Sequence, residues 1–159
     1  MSYSVKGVKS FTGREGYGFE CSLYDGPTRV ARVLNEANGA SNDYFWTDTD
    51  KELTEVEIPH PNGKTIRKKC TPNEAKFLRY IQTFSDEPEA EDMFVAQLVD
   101  DYENRQRLKR HCKSKTLFRK KGDEKGAYRV IKSKYSPQLA RQIRQEYNDV
   151  EEIVNERFG

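Results

Sequence analysis

An alternation of large side chains in the first third of the chain is the feature that most restricts its fold. The alternating residues are Tyr17, Phe19, Cys21 and Leu23. Because successive side chains of a β-strand point to opposite faces, this period of two predicts a strand with one buried face. Turn residues border it on both sides, at Gly13 and Gly16 before it and at Asp25-Gly26 after it. We therefore predict an antiparallel meander whose strands are residues 3–12, 17–23 and 29–34.

Two further strand signals follow the meander. Residues 44–46, Tyr-Phe-Trp, form the densest aromatic cluster of the chain and predict a fourth strand. Residues 55–58 and 65–67 flank an Asn62-Gly63 turn, which is typical of a hairpin tip. The two prolines beside this turn place the hairpin at an exposed edge, since proline cannot donate a ladder hydrogen bond.

Three segments carry the signals of α-helices. Thr71 and Ser136, each followed by Pro, cap the first and third helix, because their hydroxyls accept a bond from first-turn amides and Pro suits the first helical position. The second helix follows an acidic linker at residues 85–91 and extends to Leu108 or His111. The apolar stripes, at helical spacing, are Phe77, Leu78, Ile81 and Phe84, then Phe94, Leu98 and Tyr102, then Leu139, Ala140, Ile143 and Tyr147.

The C-terminal third mixes strand and helix signals. Residues 122–126, Gly-Asp-Glu-Lys-Gly, predict a charged hairpin tip between a strand near Leu117 and a strand at residues 128–131. Residues 150–158 keep apolar side chains at helical spacing, which predicts a short final turn or helix.

The order of elements predicts an α+β fold with a mainly antiparallel sheet, an N-terminal meander plus hairpins, packed with about three helices. A chain of 159 residues fits one domain. We predict mostly strands in residues 1–70, two helices in residues 71–113, and a hairpin and C-terminal helix in residues 114–159.

Composition and cysteine usage indicate a cytoplasmic protein. The chain does not open with an apolar leader and contains no apolar run near the ~18 residues that a membrane span needs. Its three cysteines, Cys21, Cys70 and Cys112, are odd in number and far apart, which favours reduced thiols over a disulfide framework. We expect Cys21 to fill the core and predict no membrane association and no cofactor.

A sharp reversal of charge lies in the middle of the chain. Residues 86–104 hold eight acids and no Lys or Arg, whereas residues 105–121 hold nine Lys and Arg and no acid. Acids in the first turn and bases in the last turn stabilise a helix through its dipole, but this needs only two or three bases. The excess predicts a surface that attracts phosphate backbones or an acidic protein. Its residues are Arg105, Arg107, Lys109, Arg110, Lys113, Lys115, Arg119, Lys120 and Lys121.

The sequence motifs for metal binding and nucleotide binding are weaker signals than the basic segment. The neighbours His111 and Cys112 leave a helix in different directions, and no C-x-x-C or H-E-x-x-H spacing accompanies them. The glycines of residues 13–18 follow G-x-x-G-x-G, which matches neither a dinucleotide fingerprint nor a P-loop and favours a hairpin turn. We assign no catalytic, cofactor-binding or metal-ligating residue.

Several motifs are similar to those of small uncharacterised proteins encoded by phages and bacterial mobile elements. They are residues 13–19 (GREGYGF), 42–46 (NDYFW), 115–119 (KTLFR) and the ending at 150–158. The resemblance implies no catalytic residues, only an accessory protein acting inside a bacterial cell, a setting in which inhibitors of host defence are common.

The leading prediction is therefore a non-enzymatic accessory protein whose basic segment engages nucleic acid or a host protein that handles nucleic acid or acts in defence. One alternative is a nucleotide-binding module or small enzyme centred on the turn from Gly13 to Gly18 and on the aromatic cluster from Tyr44 to Trp46. Another is a structural or assembly subunit.

Overall fold

The computed structural model describes residues 2–159, which form three α-helices, nine β-strands and one 3₁₀-helix. These elements divide into two compact units, an N-terminal unit that ends at Tyr102 and a C-terminal unit from Glu103 to Gly159. All strand pairs are antiparallel, so the predicted α+β class with a mainly antiparallel sheet is confirmed. The single-domain organisation expected from the chain length stays a prediction.

Four strands of the N-terminal unit form the predicted meander in the order β1-β2-β3-β4. They are β1 (Tyr3–Gly13), β2 (Gly16–Asp25), β3 (Thr28–Asn35) and β4 (Asp43–Trp46). Cys21 lies opposite Val33, and Val33 opposite Tyr44, so alternate residues share one face. Cys21 is 2% exposed, as expected of a core residue.

A hairpin and two helices complete this unit. They are β5 (Thr54–Pro59), β6 (Thr65–Cys70), α1 (Pro72–Gln82) and the first part of α2 (Ala90–His111). The Thr71 hydroxyl accepts a hydrogen bond from the Glu74 amide at 3.2 Å, which confirms the predicted cap of α1. The second helix ends at His111, within its predicted range.

Phe77 of α1 is the centre of the N-terminal core. Its ring is fully buried and lies within 5.0 to 6.2 Å of four other aromatic rings. These belong to Tyr3, Tyr44, Trp46 and Phe94. The aromatic side chains of β1 and β4 therefore bury one face of the sheet against the helices.

The C-terminal unit contains the end of α2 and a three-stranded sheet with the order β8-β7-β9. Its elements are β7 (Thr116–Lys120), β8 (Arg129–Ile131), α3 (Pro137–Glu146), β9 (Val150–Ile153) and the 3₁₀-helix Val154–Arg157. A small core of Phe118, Ala140, Ile143 and Ile153 joins α3 to this sheet. The predicted hairpin of β7 and β8 and the Ser136 cap of α3 are confirmed.

The prediction of a turn or helix for the whole tail is wrong for its first part. Residues 150–153 form β9, in which Ile153 lies opposite Phe118 of β7. Pairing satisfies backbone groups along the second edge of β7, and this tertiary gain outweighs the helical spacing of the apolar residues. The helical part of the tail is confined to the 3₁₀ turn.

Replacement of Phe77 tests the aromatic core. We expect Phe77→Ala to lower the free energy of unfolding by about 3 to 5 kcal/mol, because it leaves a cavity among four rings. Phe84, which is 56% exposed on the same stretch of chain, provides a matched control whose alanine variant should lose about 1 kcal/mol or less. Urea unfolding followed by circular dichroism measures both, and equal losses would contradict the central role of Phe77.

Candidate nucleic-acid interface

The nine predicted cations all fall in the C-terminal unit, on three consecutive pieces of structure. Arg105, Arg107, Lys109 and Arg110 lie on the last turns of α2, Lys113 and Lys115 in the following turn, and Arg119, Lys120 and Lys121 on or just after β7. The fold therefore gathers them within one small unit, although they do not form a single helix face.

The helical cations point in more than one direction. Arg105 and Lys109 are four residues apart and share one face, whereas Arg107 and Arg110 lie on other parts of the helix surface. The Arg105 guanidinium lies 4.9 Å from the centroid of the Phe158 ring, and Arg107 donates to Asn104 Oδ1 at 2.9 Å. All four side chains are exposed to solvent.

A buried asparagine attaches the basic turn, which carries Lys113 and Lys115, to the sheet. Asn155 is 5% exposed, and its Oδ1 accepts a hydrogen bond from the Leu117 amide at 2.9 Å. Its Nδ2 donates to the carbonyl oxygens of Cys112 at 3.2 Å and Lys115 at 2.8 Å. These three bonds hold the backbone on both sides of Lys113, so the position of this cation depends on Asn155. Sequence reasoning missed this residue, because only the fold brings the tail beside the turn.

Two cations of β7 form ion pairs with acids of the C-terminal unit. The Lys120 ammonium lies 3.4 Å from Asp149 Oδ1. Arg119 Nε lies 3.2 Å from Glu151 Oε2, an ion pair that lacks hydrogen-bond alignment at this nitrogen. These side chains are half-buried, whereas Lys109, Arg110 and Lys113 are exposed. The exposed set is therefore the better candidate for contact with a partner.

The C-terminal unit as a whole is strongly basic. Residues 103–159 hold sixteen Lys and Arg against eight Asp and Glu, which leaves a formal net charge of +8. The N-terminal unit holds twelve against eighteen, a formal net charge of −6. The small total charge of +2 hides this opposition. A count over the last third of the sequence would have added further cations to the predicted set, including Lys125, Lys132, Lys134 and Arg141.

Most acids of this unit are already in ion pairs. Five of the eight contact an Arg or Lys of the same unit within 4 Å: Asp123, Asp149, Glu151, Glu152 and Glu156. Hydrogen bonds from Arg129 and Arg144 lower the pKa of Asp123 and of Glu156, respectively, so both carboxylates are held ionised and neutralised. These pairs use five of the sixteen cations, so the unit keeps an excess of positive charge to which the exposed cations of α2 and the turn contribute.

Two grooves border the end of α2. One has a volume of about 310 Å³, and the other about 390 Å³. The first is lined by Asn104, Arg107, Leu108, His111, Leu117, Gly126 and Tyr128, and the second by Lys109, Cys112, Lys113, Lys134, Tyr135, Asn155, Phe158 and Gly159. Each combines cations with aromatic side chains, a pairing suited to phosphates and bases.

The residues of the alternative nucleotide-binding site, in the N-terminal unit, mainly make contacts that stabilise the fold. Gly13 and Gly16 close the hairpin of β1 and β2, and the Glu15 amide of this turn donates to the Ala37 carbonyl at 2.7 Å. Tyr44 and Trp46 stack on each other and lie against the core. The Tyr44 hydroxyl donates to Asp92 Oδ1 at 2.8 Å, and burial raises the pKa of this tyrosine.

No family model, curated protein or solved structure matches the chain. The resemblance to small proteins of phages and mobile elements therefore stays a prediction. Within residues 2–159, none of the helices is both long enough and apolar enough to cross a membrane. The same residues contain no group of three or more His, Cys, Asp and Glu side chains that could hold a metal ion.

Loss of the asparagine should loosen the basic turn. We expect Asn155→Ala to lower the free energy of unfolding by about 3 kcal/mol, because one amide and two carbonyl groups lose their buried partner. Hydrogen exchange at residues 113–117 should accelerate, and urea unfolding measures the stability. Asn148, which is exposed in a turn of the same unit, is the control, and its alanine variant should change stability by less than about 0.5 kcal/mol. Unchanged exchange in Asn155→Ala would contradict the proposed anchor.

The pair of Arg144 and Glu156 should give the C-terminal unit an acid sensitivity. Arg144 Nη2 lies 2.6 Å from Glu156 Oε1, and the Tyr135 hydroxyl donates to Oε2 at 3.1 Å. Since the folded pKa of Glu156 is lowered, the pair stabilises the fold above the unfolded pKa, and this contribution disappears as pH falls through the folded pKa. A carbon-detected NMR titration should place the Glu156 midpoint below that of a free glutamate, and Arg144→Gln should raise it. An identical midpoint in the two proteins would disprove the coupling.

Proposed function

We propose that the chain is a non-enzymatic accessory protein that binds nucleic acid through the C-terminal unit. The observation that carries this proposal is the uncompensated positive charge of residues 103–159, a net +8 in which five of the eight acids are already paired. The setting inside a bacterial cell comes from the motif resemblance and is part of the same proposal.

Phosphate backbones are the partner that this charge fits best. Each phosphate neutralised by Lys or Arg releases a condensed counterion, which favours binding without base recognition. The helix dipole accounts for the bases of the last turn of α2, Lys109, Arg110 and His111. It does not account for Lys113 in the turn or for Lys134 in the groove beside it.

A protein with an acidic surface is the second partner class. Phosphates and carboxylates present the same negative charge, so a host protein that handles nucleic acid could occupy the same surface. A binding assay with purified nucleic acid separates the two classes. Salt-dependent binding is expected if nucleic acid is the partner, whereas a protein partner does not require the chain to bind nucleic acid.

Neutralisation of the exposed cations tests the proposal. The triple variant Lys109→Gln, Arg110→Gln and Lys113→Gln should bind duplex DNA and single strands more weakly than the unaltered chain. The slope of log affinity against log salt should become shallower by about 2 to 3, since each lost phosphate contact removes about 0.9. Fluorescence anisotropy of labelled DNA over a salt series measures both quantities.

A matched control removes the same charge from the N-terminal unit. Lys51, Lys64 and Lys69 are exposed there, and their triple Gln variant also lowers the net charge by three. We expect its affinity and salt slope to remain close to those of the unaltered chain. If both triple variants lose the same affinity, general charge rather than the C-terminal surface governs binding. If the unaltered chain shows no salt-dependent binding, the nucleic-acid proposal is wrong and nuclease-treated capture tests the protein partner.

A further inference from the structure

The outer face of the N-terminal sheet carries aromatic rings that do not belong to the core. Tyr44 and Trp46 of β4 point toward the helices, so Phe45 between them points away, and it is 50% exposed. Phe11 of β1 is 40% exposed. Core packing does not explain large apolar side chains at such positions.

Cations accompany the rings on this face. Arg32 lies directly opposite Phe45, and its guanidinium is 5.0 Å from the centroid of the phenylalanine ring. The Lys6 ammonium lies 4.6 Å from the centroid of the Tyr24 ring. Arg29 is the cross-strand neighbour of Tyr24, and directly opposed residues share a face. Phe45 and Tyr24 therefore each have a cation beside the ring on the outer surface of the sheet.

The charge of this face differs from that of the unit that contains it. Its outward positions hold four cations and two acids, in a unit whose net charge is −6. The cations are Lys6, Lys9, Arg29 and Arg32, and the acids are Glu20 and Asp43. Glu20 accepts a bond from Arg32 at 2.7 Å, which orients this guanidinium beside Phe45.

A glycine allows Phe11 to lie close to the sheet. A Cβ atom on Gly18, its partner on β2, would come within 2.7 Å of Phe11 Cε2 and within 2.5 Å of the Asn35 carbonyl oxygen. A larger residue would therefore force the ring or the backbone to move. With Gly18 present, the ring remains on the sheet with part of its surface open to solvent.

We infer that this face binds single-stranded nucleic acid by stacking bases on Phe11, Tyr24 and Phe45. These three rings and the cations Lys6, Lys9, Arg29 and Arg32 form the sheet platform. Phe11 and Phe45 are exposed and Tyr24 is half-buried. Accessible rings stack on bases without sequence preference, and neighbouring Lys and Arg attract the phosphates between them. Both parts of such a ligand have a counterpart on the sheet platform.

Single strands fit this surface better than a duplex or an apolar protein. The bases of a duplex are stacked on one another, so rings on a sheet cannot reach their faces. An apolar protein partner would favour a contiguous apolar patch, whereas charged side chains separate these rings. The sheet platform belongs to the N-terminal unit and is specific for single strands. The function proposed for the C-terminal unit includes both single-stranded and duplex nucleic acid.

The test compares single and double strands of one sequence. In fluorescence anisotropy with the full chain, the double variant Phe11→Ala and Phe45→Ala should weaken single-strand binding by about tenfold or more, since stacking contributes strongly for each base. Its affinity for the duplex should not change. Phe84→Ala removes a ring that is 56% exposed and lies beside Tyr80 and Phe94 rather than on the sheet platform, so it should leave both affinities unchanged. The Lys109, Arg110 and Lys113 triple variant should weaken both.

A second arm uses the unaltered chain, so it does not depend on how the variants fold. Photochemical cross-linking to a single strand that contains 5-iodouridine should modify peptides that contain Phe11, Tyr24 or Phe45. The sheet platform is overturned if the folded double variant keeps full single-strand affinity, or if cross-links occur only in residues 103–159. Weaker binding by the triple variant, with cross-links to the sheet platform retained at a saturating strand concentration, would support a separate surface on the sheet.

Discussion

Three hydrogen bonds from the buried side chain of Asn155 hold the surface on which the proposed function depends. They connect the 3₁₀ turn near the end of the chain to the backbone before and within β7. Without them, the turn that carries Lys113 would keep only its short-range backbone hydrogen bonds. Repulsion among closely spaced cations opposes folding of this turn. The three buried hydrogen bonds of Asn155 counteract that repulsion and keep the cations close together.

The two units use charge in opposite ways. In the C-terminal unit, ion pairs involve most of the acids and leave an excess of cations. The N-terminal unit has an excess of acids, but four of its twelve cations lie together on one face of a sheet. Net charge therefore says little about this protein. The distribution of charge within each unit is the quantity that determines where a polyanion can bind.

Local signals predicted most of the fold. The alternation in β2, the Thr71 and Ser136 caps and the glycine-containing turns depend on neighbours in sequence, and each formed where expected. The tail was different, because the pairing of Ile153 with Phe118 is decided by an open strand edge that no local pattern reveals. The basic segment was visible as composition, but its division into exposed cations and cations in ion pairs required tertiary neighbours such as Asp149. For the same reason Phe45 and Tyr44, adjacent and both aromatic, could not be told apart before the sheet faces were known.

The one-sided burial of the meander has a consequence for how the protein can evolve. The core on the inner face of the meander is tightly packed, so few replacements of its buried residues leave the fold intact. Phe77, Leu23 and Val33 are examples. Apart from Gly18, whose lack of a side chain leaves room for Phe11, the outer positions are less tightly packed, so substitutions there cost less stability. If the sheet platform binds single strands as inferred, selection for a different ligand would alter its exposed residues while the buried residues of the meander stay the same.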